Sequence, residues 1–386
     1  MEDWQNGGFG LYVHWPFCQS KCPYCDFNSH VSAEVDQKRW LRAYLAELDR
    51  VSAEIGPRIL NTIFFGGGTP SLMDPEVVGA IIERAKHLWP MANDIEISLE
   101  ANPTSIEAGK FIGFRDGGVN RISMGFQALN DIDLKRLGRL HSVQEGKQAF
   151  DIARQNFDRV SFDLIYARQD QTLNQWKAEL KEALELSIDH LSLYQLTIED
   201  GTAFGDRLAR GGLRGLPSDD LASDMFFVTQ ELCDAAGLSA YEVSNHARIG
   251  SESRHNLIYW RYGDYVGVGP GAHGRLTLGG QKFAVETFRQ PEKWLTSVET
   301  RGTGESLRDT IPQLEQATEM LMMGLRLEEG ISLDRFASLS KKTLSRIKID
   351  DLVDMGMLVN NGERLRATKQ GRVILNAVLR ALLADV

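Results

Sequence analysis

Cysteine is scarce: the chain has 4 in 386 residues. That excludes a disulfide-stapled scaffold at this size. Basic residues are in the minority, with 43 Lys plus Arg against 53 Asp plus Glu and a formal charge of −10. A protein whose main partner is bare nucleic acid needs a basic footprint, so that class is set aside. No apolar run approaches the ~20 residues that span a bilayer. Residues 1–10 contain no basic n-region and no apolar h-region, so no secretory signal is expected and the chain is placed in the cytoplasm. Low-complexity segments are missing as well. What remains is an ordinary globular composition, 42% hydrophobic and 25% charged, long enough for two or three domains.

The distribution of the cysteines says more than their number. Cys18, Cys22 and Cys25 fall within one window, spaced C-x3-C-x2-C in FCQSKCPYCDFNSH. Clustered thiols in an unexported protein read first as metal ligands or redox groups. Three thiolates can hold three irons of a cubane and leave the fourth iron open. A zinc site with His14 or His30 as fourth ligand is the alternative, although no second Cys or His pair follows at zinc-finger distance. A chance cluster of core thiols fits poorly beside Gln19, Ser20, Lys21 and Asp26. Cys233, far along the chain in a helical stretch, reads as a core residue.

The first half of the chain repeats one unit. Short β-branched or aromatic runs at 10–16, 61–65, 95–100, 121–126, 159–166 and 190–197 alternate with helical periodicity at 33–55, 75–88, 105–116, 131–155 and 173–186. Such alternation predicts an α/β fold with a parallel sheet and right-handed crossovers. Each run ends in unusual chemistry: the cysteine loop, Gly66-Gly67-Gly68-Thr69-Pro70, Glu100, Gln127, Asp163 and Tyr194-Gln195. A doubly wound sheet concentrates its site at one switch point, whereas every strand of a barrel reaches the C-terminal mouth. The expectation is a partial (βα)6 TIM-type barrel over residues 1–240, open on one side. Residues 241–300 read as a linking β/loop segment, and 301–309 as a linker. Residues 301–386 read as a mainly helical, winged-helix-like domain that packs rather than binds DNA. The run 267–272 superficially resembles a dinucleotide loop, but its spacing is wrong and Pro270 interrupts it.

With Tyr24 before its last cysteine, the triad resembles the signature of the radical S-adenosylmethionine superfamily. The wider string LYVHWPFCQSKCPYCDFNSH is similar to the branch holding the oxygen-independent coproporphyrinogen III dehydrogenases and the heme chaperones related to them. The resemblance runs over essentially the whole chain. It implies a 4Fe–4S cluster on Cys18, Cys22 and Cys25, whose open iron chelates the amine and carboxylate of S-adenosylmethionine. It further implies that Gly67, Gly68 and Thr69 meet the methionine amine and that Glu100 meets the nucleoside. Tyr12 would line the adenosine pocket and Tyr24 would stand beside the cofactor. Gln127, Arg139 and Asp163 match a mouth trio that the dehydrogenase links to a second S-adenosylmethionine. One loop departs from the family: this chain has Ala167-Arg168-Gln169-Asp170-Gln171 where Gly-Leu-Pro-Gly-Gln is usual.

Three features separate the two branches. The dehydrogenase carries a further cysteine two residues after the triad, where this chain has Phe27. Its N-terminal arm is longer. The segment RHNLIYW at 254–260 is similar to the HNLxYW motif of the chaperones, which makes His255 a candidate heme ligand, with His246 and His273 as substitutes. The expected function is a heme chaperone that holds the cluster, S-adenosylmethionine and heme and delivers heme to respiratory proteins at the membrane. It would be a monomer or a cofactor-dependent homodimer. The alternative is the dehydrogenase, which decarboxylates coproporphyrinogen III.

Overall fold

The computed structural model describes residues 2–32 and 34–384, with the backbone only of residues 105 and 106. Six parallel strands form its centre: β1 (Phe9–Trp15), β2 (Leu60–Gly67), β3 (Met91–Ala101), β4 (Arg121–Gln127), β5 (Arg159–Tyr166) and β6 (His190–Gln195). Helices cover their outer face. The first, Gln37–Ile55, is capped by the Asp36 side chain, which accepts from the Arg39 N–H, and ends at Gly56. Its expected start at Ala33 lies outside the described residues. Capping boxes at Ser142/Glu145 and Thr172/Gln175 start the helices Val143–Asn156 and Leu173–Leu186.

The sheet continues beyond the six strands at both edges. β8 (Asn245–Ala247) adds antiparallel to β6, and β7 (Ser239–Ala240) antiparallel to β8. β9 (Asp264–Val268) pairs in parallel with β1, matching Phe9 to Asp264 and Val13 to Val268. β10 (His273–Leu278), β11 (Gln281–Thr287) and β12 (Glu305–Thr310) follow antiparallel. The order of the 12 strands is β12-β11-β10-β9-β1-β2-β3-β4-β5-β6-β8-β7, so the edges are β12 and β7 and the barrel is partial. Two of these strands were unexpected. β9 hides in a glycine-rich run because Gly267 must be glycine: a Cβ there would meet the His273 carbonyl oxygen at 2.1 Å. Residues 301–309 are no linker. Most of them form β12, a charged edge strand held by Arg308 to Glu54 and by Arg50 to Glu305.

Strand alternation separates two environments. Leu11, Val13, Ile63, Phe65, Leu99, Ile122, Phe162 and Leu191 join the large core under the helices. The alternate residues face the barrel interior and are mostly polar. At the floor, Glu96 accepts from Arg121 at 3.2 Å and Arg159 at 2.6 Å. Burial opposes the Glu96 charge, but the two guanidiniums outweigh it and hold the carboxylate below its ordinary range. The helix Arg254–Trp260 seals this end, its His255 N–H donating to Glu96 at 3.2 Å. The C-terminal segment contains helices Gln313–Gly324, Leu333–Ser340 and Arg346–Asp354, and a three-stranded sheet whose central strand is Arg364–Ala367. It has its own hydrophobic cluster, from Ala317 to Leu382, joined by Tyr262. Among the described residues no helix is long and apolar enough to cross a membrane.

The departing loop after β5 keeps a glycine-type backbone without glycine. Ala167 and Asp170, which stand where the family usually has glycine, both have φ of 57°. Arg168, buried, anchors the loop through Asp133 at 2.9 Å, Glu179 at 2.5 Å and the Ile165 carbonyl at 2.6 Å. A left-handed non-glycine residue is strained by roughly 1 kcal/mol. Asp170 is exposed and its ion pair with Arg136, at 3.3 Å, lies on the surface where such a pair is worth little, so its replacement reads mainly the backbone effect. Asp170→Gly is expected to raise stability by about 0.5–1 kcal/mol and Asp170→Val to lower it by at least as much. Thermal melting of the two variants checks the order.

Candidate functional site

The cysteine loop leaves β1 at the C-terminal end of the barrel. The turn after β2, residues 66–69, docks directly against it. Gly68 N–H donates to the Trp15 carbonyl at 2.7 Å and Thr69 N–H to the Phe17 carbonyl at 2.9 Å. This approach requires glycine: a Cβ on Gly68 would lie 2.7 Å from the Phe17 oxygen. Gly67 has φ of 112°, and a Cβ there would strike the His14 ring at 2.6 Å. The glycines thus make room for the protein's own backbone and rings. Their docking brings Thr69 Oγ1 to Cys18 Sγ, to which it donates at 3.4 Å.

From Thr69 a hydrogen-bond chain crosses the mouth to the second cysteine. Asn102 Nδ2 donates to Thr69 Oγ1 at 3.3 Å. Arg139 Nη2 donates to Asn102 Oδ1 at 2.6 Å and to the Gly125 carbonyl at 2.7 Å. Arg139 Nη1 donates to Cys22 Sγ at 3.5 Å. Glu107 steadies Asn102, accepting from its backbone N–H at 2.8 Å and from Nδ2 at 3.3 Å. The sequence assigned no role to Asn102 or Glu107. The available signal was Asn102's place, two residues after Glu100 at the end of a strand.

A cavity of about 570 Å³ opens here. Cys18, Cys22, Tyr24, Cys25, Gly67, Gly68, Thr69, Glu100, Gln127, Arg139 and Asp163 all line it. Eleven expected site residues therefore meet at one place, from β1 through β5. Gln127 sits at an irregularity in the β4–β5 pairing with φ of 72°, and its Nε2 donates to Asp163 at 2.5 Å. Burial pushes Asp163 up to about 6, against the pull of Arg139 and Gln127. Burial, then the Asp163 charge, pushes Glu100 up to about 8, although the Gly67 N–H on its Oε2 at 3.3 Å favours ionisation. The mouth therefore holds Glu100 as a neutral carboxyl near pH 7, and Asp163 beside the buried Arg139 guanidinium.

Tyr12 and His255 lie elsewhere. Tyr12 is below the mouth, with its OH 3.0 Å from His14 Nδ1 and its ring stacked on Phe64. His255 is at the floor, buried, with Nδ1 2.7 Å from Thr62 Oγ1 and Nε2 2.6 Å from Tyr259 OH. Both of its nitrogens are occupied, so in this conformation it offers no axial position to a heme iron. His246 is buried against Gln230 and His273 stands outside near Glu286; neither lines the cavity.

The three cysteines fit a cluster better than a single ion. Among the described residues no three His, Cys, Asp or Glu side chains converge on one metal position. A cubane needs no such convergence, because each thiolate binds a different iron. His14, a candidate fourth zinc ligand, is committed to Tyr12 and, through Nε2, to the Asn28 carbonyl at 2.9 Å. Phe27 is exposed at the rim, and no fourth cysteine reaches the mouth.

Comparison with known proteins agrees with this site. Residues 12–183 match the radical SAM superfamily, and residues 311–374 match the HemN C-terminal domain. The chain is a radical SAM protein. It is 37% identical to the heme chaperone HemW of Escherichia coli, over 97% of this chain and 98% of that one. It is 36% identical to the mitochondrial radical S-adenosyl methionine domain-containing protein 1 of Bos taurus, over 97% of this chain and 87% of that one. The chain belongs to the HemW family. The coproporphyrinogen III oxidase HemN of Escherichia coli has the same fold, with a TM-score of 0.81 at 20% identity, covering 98% of this chain and 91% of that one.

The raised carboxyl has a measurable consequence. Between its ordinary value of 4.5 and about 8, Glu100 ionises in the unfolded chain before it does in the folded one. Native stability of the cofactor-free protein therefore falls as pH rises through this window, by up to about 1.4 kcal/mol per unit. Glu100→Gln removes the effect. Its melting temperature relative to wild type is expected to climb steadily from pH 5 to pH 8. Parallel curves across that range contradict the assignment.

Proposed function

We propose that this chain binds heme and passes it to respiratory proteins, and that it does so as a radical SAM protein holding a 4Fe–4S cluster and S-adenosylmethionine. The observation that carries the reading is the near-full-length identity to chaperones of the HemW family. Phe27, where the dehydrogenase has another cysteine, supports it. Cys18, Cys22 and Cys25 hold the cluster on this reading. Bound there, cluster and S-adenosylmethionine supply one-electron cleavage of a sulfonium.

The protein's own groups prepare the place. Thr69 and Arg139 donate to two of the sulfurs and fix their orientation. Hydrogen bonds and positive charge at a thiolate stabilise it and favour the reduced state of whatever metal it binds. Gly67, Gly68 and Thr69 present backbone and hydroxyl groups beside the cysteines. Glu100, neutral near pH 7, and Asp163 with Gln127 offer hydrogen bonds to a nucleoside, and Tyr24 covers the loop. Arg139, kept charged, faces the side where a carboxylate would be neutralised. Tyr12 supports the pocket from below through His14. His255 serves as a heme ligand only if the Thr62 and Tyr259 bonds break.

The shared Gln127, Arg139 and Asp163 favour the coproporphyrinogen reaction as a second reading. One anaerobic reconstitution with iron and sulfide tests both. Titration with hemin, followed by Soret absorbance, is expected to reach about one heme per chain. Coproporphyrinogen III with S-adenosylmethionine and dithionite is expected to give no protoporphyrinogen. Loss of heme on desalting, or product formation, overturns the chaperone reading.

A further inference from the structure

The mouth cavity has two guanidiniums among its described lining residues. Arg139 is committed to Cys22, Asn102 and Gly125. The other, Arg326, arrives from the C-terminal segment, two residues beyond the helix Gln313–Gly324. Ser192, Val243 and Ser244, from β6 and the segment before β8, line the same cavity.

Arg326 is held from two directions. Its guanidinium lies over the Trp260 ring, 4.5 Å from the centroid. Its Nη2 donates to Glu242 Oε2 at 3.1 Å. Glu242 is fully buried and already accepts from Ser244 N–H at 2.7 Å and Asn245 Nδ2 at 2.6 Å. The turn itself is pinned by Glu328 N–H donating to the Tyr241 carbonyl at 3.0 Å. Yet Arg326 Nε is buried without a hydrogen-bond partner. A buried, unpaired N–H of a charged group is costly to leave, and a guanidinium fork matches a carboxylate with two parallel bonds. The clamp supplies a fixed cation whose Nε is closed to solvent and whose Nη2 is on Glu242, which leaves Nη1 as the donor open to a ligand. Trp260, the last residue of the HNLIYW segment, is thereby tied to the cavity through Arg326 rather than through His255.

We propose that Arg326 anchors a carboxylate of the ligand bound in the mouth cavity. Resting on the heme reading above, that carboxylate is a porphyrin propionate. The C-terminal segment then completes the binding site.

The test compares heme with its propionate dimethyl ester in titrations of the reconstituted full chain. Wild type is expected to bind heme at least tenfold more tightly than the ester. Arg326→Gln is expected to lose that tenfold for heme, leave the ester unchanged and so erase the preference; Arg326→Lys is expected to keep part of it. Thermal melting verifies that the variants fold, and equal binding of the two porphyrins by wild type overturns the anchor even if they do not. Equal binding of heme and ester by wild type, or a preference undiminished in Arg326→Gln, overturns the anchor while leaving the chaperone reading in place. Wild type that binds neither porphyrin overturns both.

Discussion

The mouth of this barrel depends on one backbone contact, the docking of the turn 66–69 onto the segment that leads from β1 to Cys18. Two hydrogen bonds, from Gly68 and Thr69, splint an otherwise irregular cysteine loop to β2. The splint admits no side chain at Gly68. It also sets the first link of a polar chain that runs from Cys18 through Thr69, Asn102 and Arg139 to Cys22. Two cysteines four residues apart are thus referenced to three different strands. A loop held this way is pre-formed, so less ordering is left to be done when a metal arrives.

The barrel interior extends the same economy of polar groups. At its floor Glu96 pairs with both Arg121 and Arg159, and the helix Arg254–Trp260 covers them. Its mouth is left with Glu100 and Asp163 facing one another across a cavity, both displaced upward. Burial opposes the charge on all three; Glu96 has two guanidiniums that outweigh it, and Glu100 has none. Perturbed acids of Glu100's kind collect where a protein binds or transforms something.

Much of this was legible in the residues. Strand periodicity located all six central strands, and the unusual residue at the end of each marked the mouth. The three cysteines, the glycine turn, Glu100, Gln127 and Asp163 converge as their positions at strand ends suggested, and Arg139, singled out by the family resemblance alone, joins them. Other features were hidden for physical reasons. β9 lies within the glycine-rich run 263–274, and its own Gly267 is required because the His273 backbone crowds it, which masks the strand signal. β12 is polar because it is an edge. Asn102 and Arg326 act through hydrogen bonds made in three dimensions, and Arg326 reaches the site from more than a hundred residues beyond the barrel strands. His255 looked like a ligand because its segment is similar to the HNLxYW motif of the chaperones; only the packing shows Thr62 and Tyr259 on its two nitrogens. The loop at 167–171 shows the converse. Its sequence departs from the family, but Ala167 and Asp170 still adopt the left-handed backbone that glycine would favour.

The central claim is that three thiolates at this mouth hold a cubane with one iron open to S-adenosylmethionine. Mössbauer spectroscopy of the iron-57-reconstituted chain, before and after S-adenosylmethionine is added, tests it most directly. The account predicts four irons per chain, one of which changes its isomer shift on addition while the other three do not. Four irons that all remain unchanged, or a chain that retains zinc in place of iron, contradicts it.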